Sequence, residues 1–298
     1  MIDLDQVRTF VTVVDCGSFG EAGTHLQIAQ PTVSQHVKKL EASLGHVLIE
    51  RTRAGAQITS NGARFLPFAR TLLRVAARAK TALDPCGLAI GASSNIGVYI
   101  LQPLLRDFQS RESSALRLDV QIGSNTETVR RLEDAEVDIG LMEWWDERPG
   151  FDARIWRHEH LVVIVPCGHS WASRKSIHKS ALLEIPMIGG EPGTGTARLL
   201  QQAFGAEAQA LKIGLRLGST EAVKRAVRAG LGISITLKNA VRDEVAAGVL
   251  HAVRVRGAAL SKALYSVVPS HTPSDSLARR FDAHLRKPGE PRLRNPGG

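Results

Sequence analysis

Between Leu4 and Leu44 the apolar residues recur in three short runs at helical spacing. Leu4, Val7, Phe10 (or Val11) and Val14 mark the first run, Phe19, Ala22 and Leu26 the second, and Val33, Val37, Leu40 and Leu44 the third. Each run leaves the opposite face polar, so three amphipathic helices around one small core are predicted. Ser18 is a good N-cap, and Glu21 three residues later completes a capping-box pattern for the second helix. Gln27-Ile28-Ala29 reads as the turn into the third helix. Pro31 falls in that helix's first turn, where its missing N–H costs nothing, and Gly45 ends it. Gln30, Thr32, Ser34, Gln35, Lys38 and Lys39 are left facing mostly outward.

After Gly45 the period changes. Val47-Leu48-Ile49 and Gln57-Ile58-Thr59 flank a polar stretch with Arg51 and Arg53, which predicts a short hairpin with two arginines near its tip. Ser60 to Leu83 then reads as one long helix, with Pro67 inside it as a candidate kink. Leu66, Ala69, Leu73, Ala76 and Leu83 fall near a 3-4 repeat that Lys80 interrupts. A helix this apolar on one side calls for a partner. The same helix of a second subunit, antiparallel, is the simplest one, and packing on the chain's own C-terminal half is the alternative.

Asp84-Pro85-Cys86-Gly87 has the composition of a hinge. Beyond it, strand and helix patterns alternate: strands at Gly87–Ala92, Leu116–Ile122 and Val137–Met142, helices at Ile96–Arg111 and Thr126–Ala135. Such alternation predicts parallel sheet with helices on both faces. Leu161–Pro166 and Leu264–Pro269 read as two crossings into and out of a second lobe. That lobe has its own alternation: Leu211–Leu217, Glu221–Ala229 and Gly232–Thr236. Ser276–Arg286 is a final helix on the first lobe. The predicted fold class is therefore multidomain, an α-rich winged helix-turn-helix followed by an α/β two-lobe domain. The boundaries are 1–59 for the winged domain, 60–84 for the linker helix and hinge, and 85–288 for the two-lobe domain. Lobe I takes about 87–162 and 267–288, lobe II about 163–266, and a disordered tail is expected over 289–298.

Composition narrows the function classes. The 298 residues suffice for two or three folding units with real cores. There is no run of eighteen apolar residues and no signal-peptide pattern at the start, so no membrane partner and a cytoplasmic location are expected. The net charge of +9 suits a polyanionic partner, yet residues 1–84 carry a net of only +3. The placement of Lys38, Lys39, Arg51 and Arg53 is the better evidence. Cys16, Cys86 and Cys167 are few and widely spaced, with no disulfide or metal-ligand pattern, and are expected to be small buried hydrophobes; a redox switch is the other option. His158-Glu159-His160 and Cys167-Gly168-His169 fall short of a ligand set for a metal. Neither a Ser-His-Asp nor a paired-carboxylate arrangement can be assembled, so an enzyme is not expected, nor any cofactor.

The outward set of the third helix suits a duplex groove. Glutamine can pair with adenine, serine and threonine can bond base or phosphate, and lysine neutralises phosphate. A wing would lay Arg51 and Arg53 along the backbone or into a minor groove. An ordinary amphipathic helix pair with a solvated face satisfies the same spacing. The first eighty or so positions resemble the winged helix-turn-helix of LysR-type transcriptional regulators. The resemblance is carried by Leu4, Phe10, Gly17-Ser18-Phe19, Ala22, Leu26, Gln30-Pro31, Val33-Ser34, Leu40-Glu41, Leu44-Gly45, Leu48, Arg51, Thr59 and Gly62. Gly23, Ala29 and Ile49 depart from the family's usual residues. The loss of a Ser or Thr cap at Ala29 would weaken the third helix by roughly 1 kcal/mol. The resemblance implies double-stranded DNA as partner, read by Gln30, Pro31, Thr32, Ser34, Gln35, Lys38, Arg51 and Arg53. It also implies a homodimer, or a homotetramer, on a near-palindromic operator, with the transcription machinery as a further partner.

The two-lobe half resembles, more loosely, the periplasmic-binding-protein-like effector domain of the same family. Four of its loops repeat one chemical idea, a strand, a short hydroxyl- or amide-bearing loop, and a helix N-terminus. They are Ser93-Ser94-Asn95, Ser124-Asn125-Thr126, Thr194-Gly195-Thr196 and Ser219-Thr220. Ligands bind at the carboxyl ends of strands in such lobes, and helix N-termini favour an anion. A small anionic effector, an oxyanion or a small carboxylate, is the expectation, although each hydroxyl taken singly also fits a plain N-cap. Glu191-Pro192-Gly193-Thr194-Gly195-Thr196 resembles a loop of a LysR subgroup linked to sulfur and sulfite metabolism. That subgroup usually carries an arginine on each side of the loop; here Gly190 precedes it and Ala197 follows, with Arg198 one place late. Trp144-Trp145 offers an aromatic wall or an interdomain contact. A different-class alternative is an anion-binding protein of the two-lobe fold that does not regulate through DNA.

Overall fold

The computed structural model describes residues 2–52, 55–81, 86–112, 114–189 and 195–286. These divide into two compact bodies at the 84/85 junction, with residues 134–136 grouped with the first.

The first body runs α1 (Leu4–Cys16), α2 (Phe19–Leu26), α3 (Gln30–Leu44), β1 (Ile49–Thr52), β2 (Gly55–Ile58) and α4 (Ser60–Thr81). Its core gathers Val7, Phe10 and Val13 of α1, Ala22 of α2, and Val33, Val37 and Leu40 of α3. The inward stripe of α1 passes through Val13 rather than Val14, and Leu4 is exposed. Local chemistry sets the helix ends. Asp3 accepts the amides of Asp5 and Gln6 ahead of α1, and the Ser18 hydroxyl accepts those of Gly20 and Glu21 ahead of α2. Gln27 takes a left-handed conformation (φ 57°) in the turn before α3. Gly23 is what lets that turn close: a Cβ there would lie 2.8 Å from the carbonyl oxygen of Ile28. The departure at this position therefore serves a close backbone approach.

The hairpin pairs β1 with β2, Ile49 opposite Ile58. It is tied to the helices at two points. Ala56 donates its amide to the carbonyl of Gly17, and the Glu41 carboxylate of α3 accepts the amides of Leu48 and Ile49 at 2.8 and 3.1 Å. Helix α4 continues through Pro67 as one element. Leu66, Ala69 and Leu73 of its predicted pairing stripe face the domain's own core, Ala69 fully buried. The exposed apolar residues of α4 are Phe68, Leu72 and Val75. Three positions of the 3-4 repeat thus take part in intramolecular packing, since α4 must also cover α1, where the Phe65 ring lies 5.6 Å from that of Phe10 at a tilt of 45°. Leu83 lies outside the described residues.

In the second body, β3 (Gly87–Ser93) is followed by α5 (Ser94–Tyr99), α6 (Leu101–Arg111), β4 (Arg117–Gly123), α7 (Asn125–Glu133) and β5 (Ile139–Met142). The single helix expected over Ile96–Arg111 is two helices, broken where Ile100 leaves the helical region. A long strand, β6 (Phe151–Pro166), crosses to the second lobe, which holds β7 (Ser176–His178), β8 (Met187–Gly189), α8 (Gly195–Phe204), β9 (Ile213–Arg216), α9 (Thr220–Arg228), β10 (Ser234–Leu237), α10 (Arg242–Ala246) and β11 (Leu250–Arg256). Strand β12 (Ser261–Pro269) returns the chain, and α11 (Leu277–Leu285) closes it.

The sheet order is β4-β3-β5-β12-β6-β11-β7, with β10 also on β6, and β8 pairs with β9 separately. Strand β3 is parallel to both β4 and β5, as the alternation predicts. The crossings add antiparallel pairing to the parallel sheet that the alternation predicts. Strands β6 and β12 run in opposite directions between the lobes, so they pair antiparallel, Ser261 opposite His160 through Pro269 opposite Phe151. The same β6 carries β10 and β11 antiparallel over its apolar end, residues 161–166. One continuous pair of strands therefore links the lobes, which brings the carboxyl ends of β3 and β5 opposite the N-termini of α8 and α9. The cysteines also differ from expectation: Cys16 and Cys86 are half-buried and Cys167 is exposed. Among the described residues no helix is long and apolar enough to cross a membrane.

Candidate functional site

On α3 the residues at 31, 35 and 38 lie opposite Val33, Val37 and Leu40, with 34 on the flank of that face and 30 at the helix start. Gln30, Pro31, Gln35, Lys38 and Lys39 are exposed, while Thr32 and Ser34 are half-buried. Ser34 donates its hydroxyl to the carbonyl of Gln30. Ala29 supplies no side-chain cap to α3, so the first-turn amides are not engaged by one. Pro31 has no N–H, and the Thr32 and Val33 amides donate to the Ala29 carbonyl, so backbone alone closes the helix start. The surface thus offers amide side chains for base edges flanked by lysines for the backbone. Glu41 fixes the hairpin beside this face through the Leu48 and Ile49 amides. Arg53 and the side chain of Arg51 lie outside the described residues.

In the second body the sequence-predicted loops divide into two groups. Ser124 and Ser219 behave as ordinary N-caps. The Ser124 hydroxyl accepts the Glu127 amide at 3.1 Å while the Glu127 carboxylate accepts the Ser124 amide and hydroxyl, a reciprocal capping box. Those two bonds hold the Glu127 carboxyl below the usual carboxylate range. Ser219 accepts the Ala222 amide, and Thr126 is exposed. Ser94 donates to the Gly123 carbonyl. These four have local partners or an outward position that account for them.

Asn95, Asn125, Gly195, Thr196 and Thr220 converge. Their common centre is a residue the sequence did not single out, Glu143, which follows β5. Its carboxylate accepts Asn95 Nδ2 at 2.8 Å on one oxygen. The other oxygen takes the Gly195 amide at 3.2 Å and Lys262 Nζ at 2.5 Å. Its own amide donates to Asn125 Oδ1 at 2.7 Å. Lys262 also donates to the Thr196 hydroxyl at 3.2 Å, and the Thr220 hydroxyl donates to Asn95 Oδ1 at 2.8 Å. The Lys262 and Glu143 side chains are 3% and 2% exposed, so this is a buried ion pair. Gly195 is required at the helix start, because a Cβ there would sit 2.9 Å from the Glu143 carbonyl oxygen. A lysine 119 positions from its glutamate has no local sequence signal, and the predicted crossing at Leu264–Pro269 stopped short of it.

Beside this network lies a cavity of about 290 Å³ walled by Asn95, Thr196 and Thr220, by apolar Leu200, Ile213 and Ile235, and by Arg216, Gln201 and Thr236. Ser93, at the carboxyl end of β3, is 1% exposed, and its hydroxyl has no hydrogen-bond partner among the described residues. A second polar link joins the lobes nearby. The Tyr99 hydroxyl of α5 donates to Glu221 of α9 at 2.9 Å, and Lys224 bridges Glu221 and Glu244. Burial, then the bond to Glu221, pushes the Tyr99 hydroxyl above its ordinary value. Thr194 lies outside the described residues. Of the tryptophan pair, Trp145 packs edge-on to Phe151, and Trp144 lies under the Arg198 guanidinium at 4.1 Å, a contact between lobes rather than a cavity wall. Arg198, one place beyond the expected arginine, is thus directed onto an aromatic ring. Among the described residues no group of three or more His, Cys, Asp or Glu is placed to hold a metal.

Comparison with known proteins agrees with both halves. Residues 4–63 match the family model of the bacterial regulatory helix-turn-helix protein, lysR family, and residues 87–288 match the LysR substrate binding domain. The chain is 42% identical to PtxE of Stutzerimonas stutzeri over 190 residues, which are 64% of this chain and 97% of that protein. It is 30% identical to the HTH-type transcriptional regulator CysL of Bacillus subtilis, over 81% of this chain and 82% of that one. Among solved structures it resembles full-length CbnR complexed with its target DNA, with a TM-score of 0.71 at 22% identity, over 96% of this chain and 99% of that one. The proteins of this family are regulators of transcription and not enzymes. A helix-turn-helix followed by a two-lobe substrate-binding domain makes this chain a member of the LysR family of ligand-responsive, DNA-binding transcriptional regulators.

Proposed function

We propose that the chain acts as a homodimer or homotetramer on a near-palindromic stretch of double-stranded DNA, and that a small anion in the interlobe cleft alters the geometry of that assembly. The observation that carries the DNA reading is the exposed face of α3: Gln30, Pro31, Gln35 and Lys38, with Thr32 and Ser34 at its margin. Gln35 is assigned to base edges and Lys38 to phosphate. Arg51 and Arg53 are assigned to the backbone beside the groove. Two α3 helices in a dimer would meet successive major grooves, so each half-site recurs after about one helical turn of DNA.

The anion reading is supported by the donors gathered at the cleft, Asn95 Nδ2, the Gly195 amide, Lys262 Nζ and the Thr220 hydroxyl, beside a cavity of about 290 Å³ that Asn95, Thr196 and Thr220 line. The site is therefore assigned to Asn95, Gly195, Thr196 and Thr220 with Ser93 and Lys262, and not to Ser124 or Ser219. An anion that prefers one lobe arrangement shifts the population toward it. A melting-temperature screen of the full chain against inorganic oxyanions of sulfur and phosphorus and small carboxylates tests this. A ligand of the folded state raises the melting temperature in proportion to the logarithm of its concentration. A flat response to every anion would refute the anionic effector.

A further inference from the structure

Glu143 has no counterpart among the roles assigned so far. Its carboxylate is buried, yet it projects from the end of β5 into the place where the cleft's donors meet. The three groups bonded to it are of the kind an anion site contains: the Lys262 ammonium, a side-chain amide from Asn95, and the amide of Gly195 at the start of the ten-residue helix α8. They come from three separated parts of the chain. Asn95 belongs to the first lobe, Gly195 to the second, and Lys262 to the returning strand β12. The register of β3 against β5, Ala92 beside Leu141, brings buried Ser93, whose hydroxyl has no partner among the described residues, to the same end of the sheet. The cavity of about 290 Å³ opens next to the group, with Asn95, Thr196 and Thr220 on its wall.

We propose that Glu143 is a built-in occupant of the anion position in the cleft. Its carboxylate holds Lys262, the Gly195 amide and Asn95 in the ligand-free chain, and the anionic group of the effector takes these donors in exchange. Two physical arguments support an exchange over simple addition. A buried ammonium with one carboxylate partner has its charge balanced, and a second anion beside it would leave one buried negative charge uncompensated, so the Glu143 carboxylate must turn out toward water through the adjoining cavity as the effector takes its place. The donors are also already used: Asn95 Nδ2 points to Glu143, Asn95 Oδ1 is taken by Thr220, and the Gly195 amide has a single hydrogen to give. The exchange gives the cleft a threshold. The effector must match a carboxylate's grip on Lys262, which selects compact anions with at least two acceptor oxygens and rejects neutral ligands. It also couples binding to lobe geometry, because the displaced group is itself a tie between the first lobe and α8.

This inference rests on the anionic-effector reading, and the two can fail separately. The test uses melting temperatures of the full chain and of three variants, Glu143→Ala, Glu143→Gln and the double variant Glu143→Ala with Lys262→Met, with acetate and sulfate as probes. Glu143→Ala is expected to melt lower than the parent chain and to recover by several degrees in acetate or sulfate, saturably, while the parent responds much less to the same anions. Glu143→Gln, which keeps the shape without the charge, is expected to bind sulfate at least tenfold more tightly than the parent. The double variant Glu143→Ala with Lys262→Met should lose the anion response. No anion response in either Glu143 variant would overturn the proposal. If an anion from the broader screen stabilises the parent chain and Glu143→Gln binds that anion no more tightly, the exchange is refuted and the anionic effector stands. If Glu143→Ala does not fold, Glu143→Gln decides the matter alone.

Discussion

The hydroxyl of Thr220 donates to the carboxamide oxygen of Asn95 at 2.8 Å, across 125 positions of sequence and from one lobe to the other. Asn95 spends its other end on Glu143, so the bond passes the position of α9 into the buried ion pair. Thr220→Val keeps the volume and removes the donor. It leaves a buried acceptor unpaired, a change that costs roughly 1–3 kcal/mol. The urea midpoint of the second body should fall accordingly, and Thr220→Ser should restore most of it. A midpoint unchanged by valine would mean that the bond does not hold the lobes.

Glu41 gives a second case of one side chain setting the place of a neighbouring element. Its carboxylate is the acceptor for two consecutive amides at the start of the hairpin, Leu48 and Ile49. Glu41→Ala should unpair both, raise the hydrogen-exchange rates of those amides, and destabilise the first body by about 1–3 kcal/mol. DNA affinity should drop although Glu41 touches no groove position, because the hairpin no longer sits beside α3. Protection of the Leu48 and Ile49 amides that survives the substitution would contradict this role.

What the sequence revealed and what it hid follow from the range of the interactions. The span from Ser18 to Gly45 was legible because caps, turn and apolar period act within a few residues. Ser18 caps α2, Gln27 turns, and Val33, Val37 and Leu40 are buried as their spacing predicts. The α4 stripe was read correctly as apolar but given to a second subunit, since periodicity cannot say which surface a helix covers. Leu66, Ala69 and Leu73 turned inward. In the cleft, hydroxyls next to helix starts looked alike in sequence. Only tertiary structure separated Ser124 and Ser219, which serve their own helices, from Asn95 and Thr220, which face each other. Glu143 and Lys262 were missed because a charged residue ending or beginning a strand usually lies in water, and no local pattern announces a partner so distant.

The large apolar residues of α4 that remain exposed form a narrow row. Phe68 is 68% exposed, and Leu72 and Val75 follow it one and two turns later. If the dimer closes on this row, Phe68→Glu or Leu72→Glu should raise the dimer dissociation constant by about tenfold or more, with helix content unchanged, because a buried charge opposes association. Sedimentation equilibrium measures it. Leu66→Ala and Leu73→Ala should instead lower the melting temperature of the first body, since they face its own core.

Acid sensitivity follows from carboxylates held below their usual range. Asp152 is lowered by the bond from Arg279 at 2.6 Å and by the Ser270 hydroxyl, and Glu127 by the Ser124 amide and hydroxyl. A group with a depressed folded pKa contributes fully above its unfolded value, about 4 for a carboxylate. That contribution is lost as the pH falls through the lower folded value, because the unfolded chain then binds the proton first. Melting temperature should therefore be nearly flat above about pH 6 and fall below about pH 5. Asp152→Asn and Glu127→Gln should each reduce that slope while lowering stability at neutral pH.

The reading of α3 as the DNA-contacting helix is tested most directly by selecting binders from random-sequence duplex DNA with the purified full chain and repeating the selection with Gln35→Ala and Lys38→Ala. The parent chain should enrich a pair of inverted half-sites. Gln35→Ala should relax the preference at one base position of each half-site, at a cost of roughly 1–3 kcal/mol for the preferred sequence. Lys38→Ala should enrich the same sequence with uniformly weaker binding and a salt dependence shallower by about one phosphate contact. Enrichment of no sequence by the parent chain, or an identical half-site at unchanged affinity from both variants, would contradict the assignment.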